Sequence, residues 1–201
     1  MLKVGVTGNI GSGKTTVCEL FKAYGIPVYN ADSEAKKIMS SSETIIADIK
    51  KHFGEEAYIN NQFNSAYIAN IVFSDFHQLH ILNAITHPAI IEHAMQWMNQ
   101  QTTPYAIKEA ALIFESGSAE GLDVVIGVEA PNNLRIKRIM KRDSLDREEV
   151  LKRMDKQIDQ EMKMNLCDYV IKNDEKSSLI EQVEALHKKL VALANDKVNN
   201  K

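Results

Sequence analysis

Cysteine is scarce in this chain. Only Cys18 and Cys167 carry thiols among 201 residues, and they lie far apart, outside any Cys-x-x-Cys pair. Two such thiols argue against a disulfide framework and suit a reducing compartment. A surplus of positive charge is missing as well. Lys and Arg number 24 against 27 Asp and Glu, for a formal net charge of −3 and a pI of about 6.1. Nucleic acid is therefore disfavoured as the main partner, and any basic site has to be local. No apolar run approaches the roughly 20 residues that cross a bilayer, so no membrane role is expected. Gly8 and Gly11 fall where a signal peptide needs an unbroken apolar stretch, which makes a cytoplasmic location the expectation. His77 and His80 lack partners at metal-ligand spacing, so no zinc site is expected. Internal repeats and low-complexity segments are absent too.

What is present is ordinary globular material, 44% hydrophobic and 25% charged, at a length that suits one compact domain with insertions. Residues 2–7 (LKVGVT) read as a short buried strand ended by Gly8. Residues 14–24 read as a helix, with Val17, Leu20, Phe21 and Tyr24 at helical spacing and Gly25 as the stop. Residues 26–30 (IPVYN) read as a second strand, which gives a strand–loop–helix–strand unit and implies a parallel pair.

From Asp32 to about Gln101 the pattern turns helical, with successive apolar faces at Ile45, Ile46, Ile49 and Phe53, then Tyr67, Ile68, Ile71 and Val72, then Leu79, Leu82 and Ile85. Pro88 is expected to open a further helix carrying Ile91, Ala94, Met95 and Met98, packed with Trp97. Strand signals return at 105–110, 123–128 and 169–171. Leu179, Val183, Leu186, Leu190 and Leu193 then mark an amphipathic C-terminal helix. The alternation predicts an α/β fold, a doubly wound parallel sheet flanked by helices, with residues of about 32–101 as a helical insertion.

Gly8-Asn9-Ile10-Gly11-Ser12-Gly13-Lys14-Thr15 fits G-x-x-x-x-G-K-[ST]. Glycines open backbone angles closed to other residues, so successive N–H groups can turn toward phosphate oxygens. The helix beginning near Gly13 adds its positive end. Lys14 would reach the β- and γ-phosphates of a nucleoside triphosphate, and the Thr15 hydroxyl would coordinate Mg²⁺. Chance alone produces the pattern in roughly one percent or less of chains of this length. Here it also sits between a predicted strand and a predicted helix, the context that gives it meaning.

Other residues carry two readings each. Arg135, Arg138 and Arg142 fall at i, i+3 and i+7 of a predicted helix, so one face carries three guanidinium groups. Such a face would spread over the charge of a moving phosphoryl group, or it is a solvated basic face. Asp32 follows the second strand and would either accept the proton of an attacking hydroxyl or cap the helix starting at Asp32 or Ser33. Glu109 ends a predicted strand and would hold a water on Mg²⁺ or face solvent. His87 contacts an acceptor or shapes a helix-entry turn. Arg153 and Gln157, four apart on a predicted helix, line a lid or form a surface pair.

The chain resembles the dephospho-coenzyme A kinases nearly end to end. The likeness runs through VGVTGNIGSGKTTV, NAD at 30–32, FG at 53–54, IVFSD at 71–75, THPAI at 86–90, PYAIKEAALIFESG at 104–117, RIMKRD at 138–143 and CDYVIKND at 167–174. The resemblance implies a P-loop kinase domain with its core at about 1–31, 102–134 and 165–201. It also implies that the insertion at about 32–101 binds the acceptor and that a short helical lid at about 135–164 closes on ATP. The reaction implied is phosphorylation of the ribose 3′-hydroxyl of dephospho-CoA by Mg–ATP. Asp32, Lys14 and Arg142 match catalytic positions. Gly11, Ser12, Gly13, Lys14, Thr15, Thr16, Arg138, Arg142 and Asn173 match nucleotide positions, Asn173 near the adenine. Thr7, Asp32, His87 and Leu112 match acceptor positions, with Thr15 and Glu109 at the metal.

Against the family pattern, Asn30 stands where a second aspartate is common, Ser65 where an arginine is usual, and Ala111 where a proline precedes LIFE. Dephospho-CoA is the expected partner, and the chain is expected to act as a monomer or weak homo-oligomer. A kinase for another metabolite shares every feature except the acceptor motifs. A nucleotide-switched binding protein is disfavoured, because no N-K-x-D guanine-specificity motif occurs.

Overall fold

A computed structural model describes residues 1–199. Its sheet grows from β1 (Leu2–Thr7), an apolar strand that pairs in parallel with β5 (Tyr105–Glu109) on one side and β6 (Val124–Glu129) on the other. Beyond β6 lies β7 (Tyr169–Lys172), again parallel, and β2 (Val28–Asn30) forms the other edge, for the order β2-β5-β1-β6-β7. Strands buried on both faces read as continuous apolar runs, as VVIGV does in β6. Ligands of such sheets sit beyond the strands' C-terminal ends. The glycine-rich loop follows β1, Ala110 follows β5, Ala130 follows β6 and Asn173 follows β7.

The chain divides into two compact units, one of Met1–Tyr29 with Trp97–Lys201 and one of Asn30–Gln96. In the first, α1 (Lys14–Ala23) buries Val17, Cys18 and Phe21. Gly25 ends the helix at φ 76°, donating its N–H to the Lys22 carbonyl at 2.8 Å. Phe21 stands edge-on to Tyr105 at 6.2 Å between ring centres. From the long helix α9 (Leu179–Asn199), Val183, Leu186, Leu190 and Ala194 join the same core.

The second unit packs Ile45, Ile49 and Phe53 of α3 (Glu43–Phe53) against Ile68 and Val72 of α4 (Ser65–Ser74). Three expectations change here. The unit contains a hairpin, β3 (Tyr58–Ile59) and β4 (Gln62–Phe63), turning through Asn60 and Asn61 at φ 51° and 61°. Asparagine tolerates that left-handed region, which two-residue hairpin loops need. Pro88 opens no helix: it lies inside α5 (Phe76–Asn99), which absorbs the one missing N–H donor. Finally, α2 (Ala31–Ser41) is capped by Asn30, whose Oδ1 accepts from the Ser33 N–H at 2.8 Å. The capping role considered for Asp32 therefore belongs to Asn30.

Lys108 is 2% exposed on β5, where its ammonium donates to the Ser118 carbonyl at 3.5 Å. Burial disfavours the charge and pulls the amine down to about 8 from 10.5. Between those two values the unfolded chain binds more protons than the folded one, so folding stability rises with pH across that window. Below about pH 8 the fold bears the full cost. Lys108→Met is expected to add on the order of 1–3 kcal/mol at pH 7 and to flatten stability between pH 8 and 10.5. Chemical denaturation at pH 7 and 10 checks it. A less stable variant at pH 7 would mean that the buried ammonium is a net gain.

Candidate active site

The loop between β1 and α1 turns at Gly11 (φ 80°) and Gly13 (φ 92°), angles that side chains rarely adopt. A Cβ on Gly11 would stand 2.8 Å from the Arg135 carbonyl, and one on Gly13 would run into the Asn173 amide. Gly11 is therefore required by its left-handed φ and a close backbone neighbour, and Gly13 by its left-handed φ and the Asn173 side chain packed on it. Lys14 folds its ammonium across the loop and donates to the Gly8 carbonyl at 2.9 Å. Beside the loop lies a cavity of about 350 Å³ lined by Gly11, Gly13, Lys14, Thr15, Thr16, Arg138, Ile139 and Arg142. With two arginines and a lysine at a helix N-terminus, it is built for a polyanion.

Thr15 and Glu109, 94 positions apart in sequence, meet here. The Thr15 hydroxyl donates to Glu109 Oε1 at 2.8 Å, because the β1–β5 register places Glu109 opposite Val6. Glu109 is buried rather than solvent-facing. On the far side of the loop, Asn173 donates its amide to the Ser12 carbonyl at 2.8 Å.

The three arginines of α6 (Asn132–Asp143) separate into different tasks. Arg135 is 3% exposed and lines no part of this cavity; its Nε donates to the Ile10 carbonyl at 3.0 Å, and it bonds Asn132 and Gln160. Arg138 reaches the Gly11 carbonyl, Asn173 and Glu175. Arg142, 62% exposed, is held by both oxygens of Asp143 at 2.7 and 3.0 Å. The even row of guanidinium groups expected from spacing is thus one structural anchor and two cavity residues.

Gln157 lies beyond the end of α7 (Arg147–Met154), so it shares no helix face with Arg153. Its Oε1 accepts from the Ile10 N–H at 2.7 Å, while Arg153 pairs with Asp143. Asn9 adds a bond to the Ile158 carbonyl at 2.8 Å. Gln157, Asn9 and Arg135 together stiffen the loop's outer turn. Spacing alone gave no sign of these pairings, because each partner lies more than a hundred residues away.

The remaining candidates are placed as follows. Thr7 is fully buried, and its hydroxyl donates to the Ala111 carbonyl at 3.2 Å. Leu112, the next residue, is 43% exposed. Asp32 is exposed in the first turn of α2, His87 is half-buried in the middle of α5, and Ser65 is exposed at the start of α4.

This sheet order, with a glycine loop after its central strand and a Lys-Thr pair heading the next helix, defines a nucleotide-binding enzyme of the P-loop kinase class. The sequence model of the dephospho-CoA kinase family matches residues 2–178. A dephospho-CoA kinase from Bacteroides fragilis is 34% identical over 183 residues, 90% of this chain and 89% of its own. Among solved structures, a Thermus thermophilus protein superposes with a TM-score of 0.81 at 33% identity, covering 95% of this chain and 96% of that one. Dephospho-CoA kinase from Campylobacter jejuni gives 0.69 at 30% identity, covering 94% and 97%. The chain belongs to the dephospho-CoA kinase family, ATP-using enzymes of the last step of coenzyme A biosynthesis.

Proposed function

We propose that Lys14, Arg142 and Asp32 carry out transfer of the γ-phosphoryl group of Mg–ATP to the ribose 3′-hydroxyl of dephospho-CoA. The observation that carries this reading is the hydrogen bond between Thr15, at the wall of the polyanion cavity, and Glu109. A hydroxyl and a carboxylate side by side are an all-oxygen donor pair, which suits magnesium. Thr15 would hold the ion directly and Glu109 through a water. Bound there, the ion offsets charge shared between the β- and γ-phosphates.

The 3′-oxygen forms the new bond to phosphorus while the bond to the bridging oxygen breaks, and ADP leaves with that oxygen. Asp32 orients the hydroxyl and takes its proton. In a loose transition state the nucleophile needs little deprotonation, so orientation is the larger contribution. Lys14 and the loop N–H groups of 11–16 hold the β/γ-phosphates. Arg138 and Asn173 sit toward the rest of the nucleotide, and Arg142 leaves Asp143 to screen the moving charge. Thr7, His87 and Leu112 belong to the acceptor side. We assign about 32–101 to acceptor binding and about 135–164 to a lid that excludes water. The enzyme works as a cytoplasmic monomer or weak homo-oligomer.

Glu109→Gln keeps an acceptor for the Thr15 hydroxyl but removes the charge. It is expected to raise the Mg²⁺ concentration for half-maximal rate about tenfold or more, with little change in metal-free ATP binding. Initial rates over a magnesium titration decide this. An unchanged half-saturation would remove Glu109 from the metal site.

A further inference from the structure

The segment between β5 and β6 is a run of turns whose carbonyls at Leu112, Phe114, Gly117 and Ala119 bond within it, whereas the Ala111 carbonyl takes donors from elsewhere. One donor is unusual. Lys163 lies in α8 (Gln160–Asn165), and its side chain is 0% exposed. Its ammonium donates to the Ala111 carbonyl at 2.9 Å and pairs with Glu115 Oε1 at 2.8 Å, a carboxylate 19% exposed. The Thr7 hydroxyl donates to the same Ala111 carbonyl, so both lone pairs of that oxygen are engaged.

Burying an ammonium and a carboxylate is costly, and an apolar side chain would pack α8 at less expense. The cation supplies what an apolar group cannot: two bonds that fix a backbone carbonyl and a side chain of the turn segment at once. The support is itself anchored. Asp159 caps α8 through the N–H groups of Glu161 and Met162. Gln160 Oε1 accepts from Arg135, whose Nε holds the Ile10 carbonyl of the phosphate loop. Thr7 is the last residue before that loop. Ala111 is therefore pinned from both sides by groups tied to the phosphate loop, and Leu112 emerges immediately beyond the pin.

We propose that Lys163 is a positioning residue for the acceptor, holding residues 111–115 in register with the phosphate loop. The proposal rests on the reading of Leu112 as an acceptor contact. A displacement of about 1 Å in a positioning group costs on the order of 10²-fold in rate. The effect should fall on dephospho-CoA and spare ATP, because no atom of Lys163 lines the nucleotide cavity.

The test uses the full chain with Lys163→Met, Lys163→Met/Glu115→Gln and Leu112→Ala. Initial rates are measured against each substrate separately, together with titration by a non-hydrolysable ATP analogue and thermal melting. Lys163→Met is expected to raise KM for dephospho-CoA about tenfold or more, with analogue affinity within about twofold of wild type. The double variant removes the orphaned carboxylate, so its melting temperature should recover while KM for the acceptor stays high. It also carries the test if the single variant fails to fold. Recovery of both melting and KM would show a purely structural pair and overturn the proposal. An unchanged acceptor KM, or a parallel loss of analogue affinity, would overturn it too. If Leu112→Ala raises KM and the Lys163 variants do not, the positioning role alone is wrong. If Leu112→Ala leaves KM unchanged, the acceptor reading of this segment is wrong and the proposal falls with it.

Discussion

Lys14→Ala is expected to lower turnover about 10³-fold or more and to weaken ATP binding at least about tenfold. The ammonium spans the phosphate loop to Gly8 and lines the cavity, so it is the cation best placed for β/γ oxygens. Arg135 does not replace it, being committed to the Ile10 carbonyl. The side chain is half-buried at a helix N-terminus rather than in the core, so the fold should survive. Rates and titration with an ATP analogue check both halves. Unchanged nucleotide affinity would mean that the loop does not bind triphosphate.

Asp32→Ala is the second large effect, a loss of at least about 10²-fold in turnover with ATP affinity retained. Stability does not confound this test. Asp32 is exposed, and Asn30 rather than Asp32 caps α2, so the fold loses only a first-turn charge worth about 0.3–1 kcal/mol. Asp32→Asn should keep more activity than the alanine variant, because an amide still orients a hydroxyl although it accepts no proton. Near wild-type turnover in Asp32→Ala would remove this residue from the mechanism. Equal losses in both variants would favour basicity over orientation.

The parts legible in the sequence are those set by short-range pattern. β1, the loop at 8–15, α1 and its Gly25 stop are consecutive, and each follows from local turn chemistry or periodicity. Strand signals mark β5, β6 and β7 in the sequence, most plainly the apolar run of β6. The hairpin at 58–63 was not, because two-residue strands carry no alternation; its only signal is the Asn60–Asn61 pair. Pro88 misled because a proline suits a helix start as well as a tolerated interior position. Arg135 misled for a different reason. Its spacing matches Arg138 and Arg142, but burial depends on a carbonyl 125 residues away. Lys163 was likewise silent, a lysine among methionines in QEMKMN whose partners are Ala111 and Glu115. Long-range partners decide which charges are buried, and a single sequence does not display them.

The central claim is tested most directly by ADP release from the purified chain with Mg–ATP, comparing dephospho-CoA with AMP, CMP, adenosine and no acceptor. The product mass is read in the same samples. Rapid ADP release with dephospho-CoA alone, and a product heavier by one phosphate, is the predicted result. It would also show that the absence of the family arginine at Ser65 is compensated elsewhere in the chain. Comparable turnover with another acceptor, or with none, would contradict the account.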